Sequence, residues 1–244
     1  ALDYYNRSLN ISVELELNQY LFWLLDKIGV IYQSKGDLNT ALDFYTRILE
    51  KDEKYWKLKV GKAQPLFRVG SIYQITGEYE KAVDYYTQSH EIYKKLGDAL
   101  GIVASMTNMG ICYNEISNIA SDYLNQILNQ LRAVEFLEKS HALLVEIGRK
   151  DILLMTTTYL YLHYKNENKG YDLDEIHKLI EETEKITFFL NYALYQLIED
   201  TSYLESAYNQ VQEKTDNLEP DVKAKFLSYP IPSAIVEEWE KVNK

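Results

Sequence analysis

The sequence predicts an all-α fold, a right-handed superhelical solenoid of antiparallel helix pairs. Three observations carry this. First, the stretch "LFRVGSIYQITGEYEKAVDYYTQSHEIYKKLGD" contains two amphipathic patterns around a glycine turn: Leu66, Val69, Gly70 and Tyr73, then Ala82, Tyr86 and Ser89. Spacings of three and four residues place each set on one face of a helix. Second, the same residue order recurs upstream and downstream. Third, only 10 Gly and 4 Pro in 244 residues leave little room for a strand-rich or loop-rich chain.

In chain order, Ala1, Tyr5 and Ser8 match only the second helix of a pair, over 1–15. A chain that opens midway through a repeat reads as a piece of something longer. Helices over 17–34 and 38–52 form the first full pair, carrying Ile28, Gly29, Tyr32, Gly36, Ala41, Tyr45 and Ile48. Lys54 to Lys62 extends the connection toward Pro65, which suits the first turn of the next helix. The central pair spans 65–76 and 79–96, with Gly77-Glu78 at its turn and Gly97-Asp98 at its end. Residues 99–116 open the third, with Met109, Gly110 and Tyr113 before Ala133, Leu137 and Ser140. From Ala1, Ala41, Ala82 and Ala133 to Gly29, Gly70, Gly110 and Tyr161 the steps are 28, 29, 28 and 28 residues. A register held through four copies marks an internal repeat.

The array is irregular after 116. Gly110 to Ala133 is 23 residues, whereas Gly29 to Ala41 and Gly70 to Ala82 are both 12. The extra residues fall within about 117–130, where Leu124, Ile127, Leu128 and Leu131 keep a helical spacing. They lengthen the second helix at its start or form a short added helix, either as a tolerated insertion or as a partner-contacting element. A fourth pair over 150–186 has Tyr161 in place of the glycine and a long turn, "KNENKGYDLDE". A fifth pair spans 187–200 and 202–215, which ends the array at 215. Residues 216–244 then form a C-terminal helical cap. Pro220 starts a short helix, Tyr229-Pro230-Ile231-Pro232 reads as an extended break, and Ser233 caps a last helix with Ile235, Val236 and Trp239. Phe226, Leu227 and Trp239 are expected to cover the final repeat.

The net charge of −11 and pI near 4.9 disfavour a nucleic-acid binder, which needs clustered Lys and Arg. One cysteine, Cys112, rules out an intrachain disulfide and suits a reducing, cytoplasmic setting. No apolar run approaches the roughly 20 residues that span a bilayer, so no membrane contact is expected. At least seven of the 22 tyrosines fall on repeat positions (Tyr5, Tyr32, Tyr45, Tyr73, Tyr86, Tyr113, Tyr164), which assigns them to packing.

The helix openings "ALDYYNRSL", "ALDFYTRIL", "AVDYYTQSH" and "AVEFLEKSH", with the join "KKLGDALGIVASMTNMGICY", resemble the tetratricopeptide repeat in its longer version of about 40 residues. The join is similar to that of kinesin light chains and Leu-Gly-Asn repeat scaffolds. The ending "FLSYPIP…IVEEWE" resembles the close of tetratricopeptide regions in bacterial multidomain signalling proteins. The resemblance implies a concave groove lined by first helices, with ligand contacts flanking the small residue. Mapped here, the peptide-binding groove comprises Trp23, Lys27, Gln33, Gln64, Phe67, Arg68, Gln74, Asn108, Asn114 and Tyr159, with Asp26, Val30, Ser71, Thr107, Ile111, Thr158 and Leu162 beside them. Asn108 suits a peptide backbone, because an amide donates and accepts at once. Asp26 and Val30 stand where the family's chaperone-tail binders need Lys and Asn, which disfavours that ligand.

No catalytic constellation is present: there is no Gly-rich phosphate loop, no HExxH and no paired cysteine. His90 and His141 sit eight residues after Ala82 and Ala133, so repetition explains them without a metal. The expectation is a non-enzymatic protein- or peptide-binding scaffold without cofactor, able to self-associate through its ends. The alternatives are a regulatory region of a larger nucleotide cyclase or kinase, or a sensor of small secreted peptides.

Overall fold

The computed structural model describes residues 2–14, 18–50, 59–216 and 218–243. Among these the chain is all α-helical. The helices are α1 (Leu2–Glu14), α2 (Asn18–Lys35), α3 (Leu38–Leu49), α4 (Ala63–Thr76), α5 (Tyr79–Leu96), α6 (Ala99–Ile119) and α7 (Tyr123–Ile147). They continue as α8 (Lys150–Asn166), α9 (Leu173–Glu181), α10 (Phe188–Ile198), α11 (Thr201–Thr215), α12 (Pro220–Leu227) and α13 (Pro230–Val242). A 3-10 turn, Lys59–Lys62, leads into α4. The expected start of the first helix at Ala1, and the connection over 54–58, lie outside the described residues.

One packing rule generates the successive pairs α2/α3, α4/α5 and α6/α7. A Cβ on Gly29 would lie 2.6 Å from Tyr45 Cε1, one on Gly70 2.9 Å from Tyr86 Cδ1, and one on Gly110 2.8 Å from Leu137 Cγ. The bare glycine backbone is therefore the seat for the large side chain of the facing helix. Ala41, Ala82 and Ala133 are fully buried opposite, where anything larger would force the helices apart. Three residues beyond each glycine and each alanine an aromatic pair stacks. Tyr32 meets Phe44 at 5.8 Å between centroids, Tyr73 meets Tyr85 at 5.5 Å, and Tyr113 meets Phe136 at 5.8 Å. A cation covers each pair: Arg47 over Phe44, Lys81 over Tyr73 and Arg132 over Tyr113. Ser89 donates to the carbonyl of Ala63 at 2.7 Å, and its counterpart Ser140 to that of Val103 at 3.3 Å. Gly77 (φ 84) and Gly97 (φ 66) end α4 and α5 in the left-handed region, as the turn readings require.

The insertion lengthens both helices of the third pair. Thr76 ends α4 six residues after Gly70, whereas Ile119 ends α6 nine after Gly110. Tyr79 opens α5 three residues before Ala82, whereas Tyr123 opens α7 ten before Ala133. The sequence expectation placed the extension at the start of the second helix or in a short added helix; α7 does start earlier, and α6 is lengthened as well. The chain turns at Ala120–Asp122, because the Asp122 carboxylate accepts from the amide of Asn125 at 2.9 Å and caps α7 there.

The described chain forms two compact units, residues 1–98 with 214–229 and residues 99–213 with 230–244. In the first unit, a Cβ on Gly36 (φ 92) would meet Phe226 Cδ2 at 3.2 Å and Leu218 Cδ1 at 3.5 Å. Lys214 donates to the carbonyl of Ser34, and Lys225 to Asn39 at 3.0 Å. Phe226 accordingly covers the turn of the first full pair. In the second unit Trp239 stacks on Tyr208 at 5.2 Å, and Tyr195 donates to Glu238 at 3.2 Å. Pro230 and Pro232 do not make an extended break. Both sit in the first turn of α13, where the missing N–H has no intrahelical partner to lose. Ser233 lies inside that helix and donates to Glu237 at 2.8 Å instead of capping it.

Candidate functional site

In the first unit, four helices bring polar groups to one place. Asp26 on α2 faces Arg68 on α4, with Oδ1 3.7 Å from Nε. Their side chains are 13% and 30% exposed, and neither of these two atoms has a hydrogen-bond partner in the chain. The distance is too long for a hydrogen bond but short enough for attraction. Beside the pair, Tyr45 of α3 donates to Gln33 Oε1 at 3.1 Å, and Gln33 Nε2 donates to Ser71 Oγ at 3.0 Å. Burial pushes the Tyr45 hydroxyl well above its ordinary pKa, with Arg68 pulling it back and Asp26 adding to it. Tyr93 of α5 is raised by burial and by Asp98, and it too feels Arg68 and Asp26. Trp23, 52% exposed, extends the set, with Tyr5 against its edge at 5.8 Å and the Lys27 ammonium over its ring at 5.8 Å.

The glutamine positions are partly structural. Tyr86 donates to Gln74 Oε1 at 2.6 Å, in register with the Tyr45–Gln33 bond. Each amide oxygen therefore anchors the tyrosine that packs on the glycine. Phe67 is half-buried with its ring 5.1 Å from Tyr86, and Gln64 is exposed at the start of α4. Trp23, Lys27, Gln33, Phe67, Arg68 and Gln74 all lie in this unit.

In the second unit the third repeat breaks the tyrosine–amide rule. Leu137 replaces the tyrosine and has no hydroxyl, so Asn114, the counterpart of Gln33 and Gln74, hydrogen-bonds Glu115 instead. Burial raises the pKa of the Glu115 carboxyl, opposed by hydrogen bonds from Asn118 and Asn114. Asn108 donates its amide to the Ala104 carbonyl of its own helix at 2.9 Å, which leaves its oxygen as the group offered outward. Tyr159 is half-buried against the core formed by α6 to α10. Thr107, Ile111 and Thr158 do not line a face. Thr107 is buried with its hydroxyl 2.5 Å from Ser140 and 2.9 Å from Thr156, Ile111 is in the core, and Thr158 donates to the Leu154 carbonyl at 2.7 Å. The reason is periodicity: a face flanking a small residue includes positions that turn inward once a third helix packs on the pair. Sequence reasoning missed Tyr93 and Glu115. A carboxylate inside the apolar run of α6 was the available signal for Glu115.

In the fourth pair, Tyr161 occupies the glycine position and its hydroxyl donates to the Glu175 carboxylate, which also lies 3.5 Å from His141 Nε2. Tyr164 donates to Glu138 at 2.8 Å. Burial first, then that carboxylate, pushes its pKa up to about 12. Among the described residues no His, Cys, Asp or Glu cluster has metal-binding geometry, and no helix is long and apolar enough to cross a membrane.

Family models described as tetratricopeptide repeat match residues 62–133 and 24–54. No curated protein matches the chain. Two of the solved structures that share its fold illustrate the likeness. The apo form of RapI superposes with a TM-score of 0.63 at 16% identity, over 98% of this chain and 70% of that one. BtubC (BKLC) from P. vanneervenii gives 0.54 at 13% identity, over 99% and 89%. At such identities the likeness concerns the fold alone. The glycine–tyrosine seats and the first two stacked aromatic pairs fall in the segments that match the repeat models, and residues 24–54 and 62–133 are therefore tetratricopeptide repeats, within a helical-repeat fold.

Proposed function

We propose that the chain is a non-catalytic scaffold that binds a protein or peptide segment through its first helices. Trp23, Lys27, Gln64, Phe67 and Arg68 make the contacts in the first unit, and Asn108, Asn114 and Tyr159 in the second. The observation that carries this reading is the Asp26–Arg68 pair, two half-buried opposite charges whose facing atoms lack hydrogen-bond partners in the chain. A peptide backbone offers a donor for the Asp26 carboxylate and an acceptor for the Arg68 guanidinium, and charge-assisted bonds are the stronger kind. Exposed Trp23 beside it supplies apolar contact.

The reading is tested on a partner captured from the source organism with the natural chain, then titrated against Arg68→Ala and, separately, Asn108→Ala. Loss of one charge-assisted hydrogen bond is worth about 1.5–3 kcal/mol, so Arg68→Ala should weaken binding about ten-fold or more. A melting curve run in parallel separates this from misfolding. A partner that binds a folded Arg68→Ala chain unchanged would overturn the assignment of the site.

A further inference from the structure

The insertion in the third pair presents a surface that the first helices do not explain. On α7, Leu124 is 76% exposed, Leu128 42% and Leu131 60%, with Ile119 (64%) and Tyr123 (77%) at the tip of the same hairpin. Isolated exposed leucines are ordinary; three on successive turns of one helix are not. The face continues in heptad spacing through Glu135, Glu138, Ala142 and Val145, every one of them exposed. Steps of four and three residues keep all seven on one stripe. The stripe thus reads Leu-Leu-Leu-Glu-Glu-Ala-Val. Among the described residues Glu135 pairs only with its own neighbour Lys139, and the Glu138 oxygen that accepts from Tyr164 leaves the other for a partner.

Charge decides the occupant. Residues 99–213 and 230–244 hold 20 Asp and Glu against 10 Lys and Arg, a net of −10. Residues 1–98 and 214–229 hold 17 against 16, a net of −1. Nearly all the net negative charge of the chain lies in the unit that carries the stripe. A second copy fits poorly: antiparallel pairing about the stripe's midpoint sets Glu135 against its own counterpart and Glu138 against Leu131, and like or unpaired buried carboxylates are costly. We infer that the α7 stripe docks a basic amphipathic helix of a partner protein, its apolar side on Leu124, Leu128 and Leu131 and its Lys or Arg side chains on Glu135 and Glu138. This surface is separate from the first-helix residues, so each can fail without the other.

The test uses the whole chain and a synthetic helix of about three heptads, with leucines on one stripe and lysines flanking it. A second peptide replaces the lysines by glutamates. The lysine peptide should bind about ten-fold or more tightly than the glutamate one, and weaken as salt rises. Leu128→Gln/Leu131→Gln and Glu135→Gln/Glu138→Gln should each reduce its affinity about ten-fold, while Arg68→Ala leaves it unchanged. These side chains are exposed, so the variants keep the fold; Leu124→Gln provides a milder check. Equal affinity for both peptides, or binding indifferent to both double variants, would overturn the inference. So would a concentration-dependent dimer in sedimentation that Leu128→Gln/Leu131→Gln abolishes, since the occupant would then be a second copy.

Discussion

Substituting alanine for Gly29 isolates the packing rule of the repeats. In an ordinary exposed helix Gly→Ala stabilises by about 1 kcal/mol, because glycine loses the most backbone freedom. Here the new methyl would stand 2.6 Å from Tyr45 Cε1 and 2.8 Å from Cζ, inside any real carbon–carbon contact. The ring has no room to yield, since Tyr45 is fully buried and its hydroxyl is held by Gln33. Overpacking a close-packed site costs about 1–3 kcal/mol, and shifting the ring also loosens a hydrogen bond worth about 1 kcal/mol. The clash therefore outweighs the propensity gain, and Gly29→Ala should destabilise by about 2 kcal/mol. For a chain of this size that lowers Tm by roughly 4–8 °C. The decisive assay is a double-mutant cycle by urea and thermal unfolding. In a Tyr45→Ala background the obstruction is gone, and Gly29→Ala should reverse sign and stabilise. A Gly29→Ala chain that melts at or above the natural one, or an effect that persists without the Tyr45 ring, would refute the seat.

Three further outcomes follow from named contacts. Thr107→Val removes the hydroxyl shared with Ser140 and Thr156 inside a buried cluster, and should cost about 1–3 kcal/mol in urea unfolding. Asp122→Ala deletes the cap of the lengthened α7; it should cost about 1 kcal/mol and speed amide exchange in the first turn after Tyr123. Tyr164 gives the alkaline limb. Its folded pKa of about 12 exceeds the unfolded value near 10, so between those pH values the unfolded chain has released a proton that the native chain keeps. Its contribution is complete below about pH 10 and falls as pH rises toward 12, and Tyr164→Phe should flatten that limb of the stability–pH curve.

The seats were legible because each needs a small residue and a large one at fixed spacing, and Gly29, Gly70 and Gly110 repeat with Ala41, Ala82 and Ala133. The helix ends were legible where Gly77 and Gly97 supply a positive φ. What the pattern could not show is which polar group pairs with which across the turn. Gln33 and Gln74 look like outward amides until the tyrosine hydroxyls opposite them are placed. Thr107 looks accessible until α8 brings Thr156 onto it. Phe226 looks like a cover for the adjacent repeat, but contact with Gly36 depends on chain far away in sequence, where periodicity carries no information.

The same register that fixes packing also separates structural positions from those free to choose a ligand. Four residues after each glycine stands an amide: Gln33, Gln74 and Asn114. In the first two pairs its oxygen is held by the tyrosine of the facing helix. In the third pair Leu137 stands in place of that tyrosine and offers the amide of Asn114 no hydroxyl to hold. Two residues before each glycine stand Lys27, Arg68 and Asn108, and here no packing partner dictates the choice: one covers Trp23, one faces Asp26, one bonds its own helix. Positions that differ in chemistry at constant register are those where packing does not constrain identity. On the proposed binding function, specificity for a segment would be concentrated at these three positions and at the Asp26 that opposes Arg68. Exchanging them between repeats should change which segment binds while leaving the melting temperature nearly untouched.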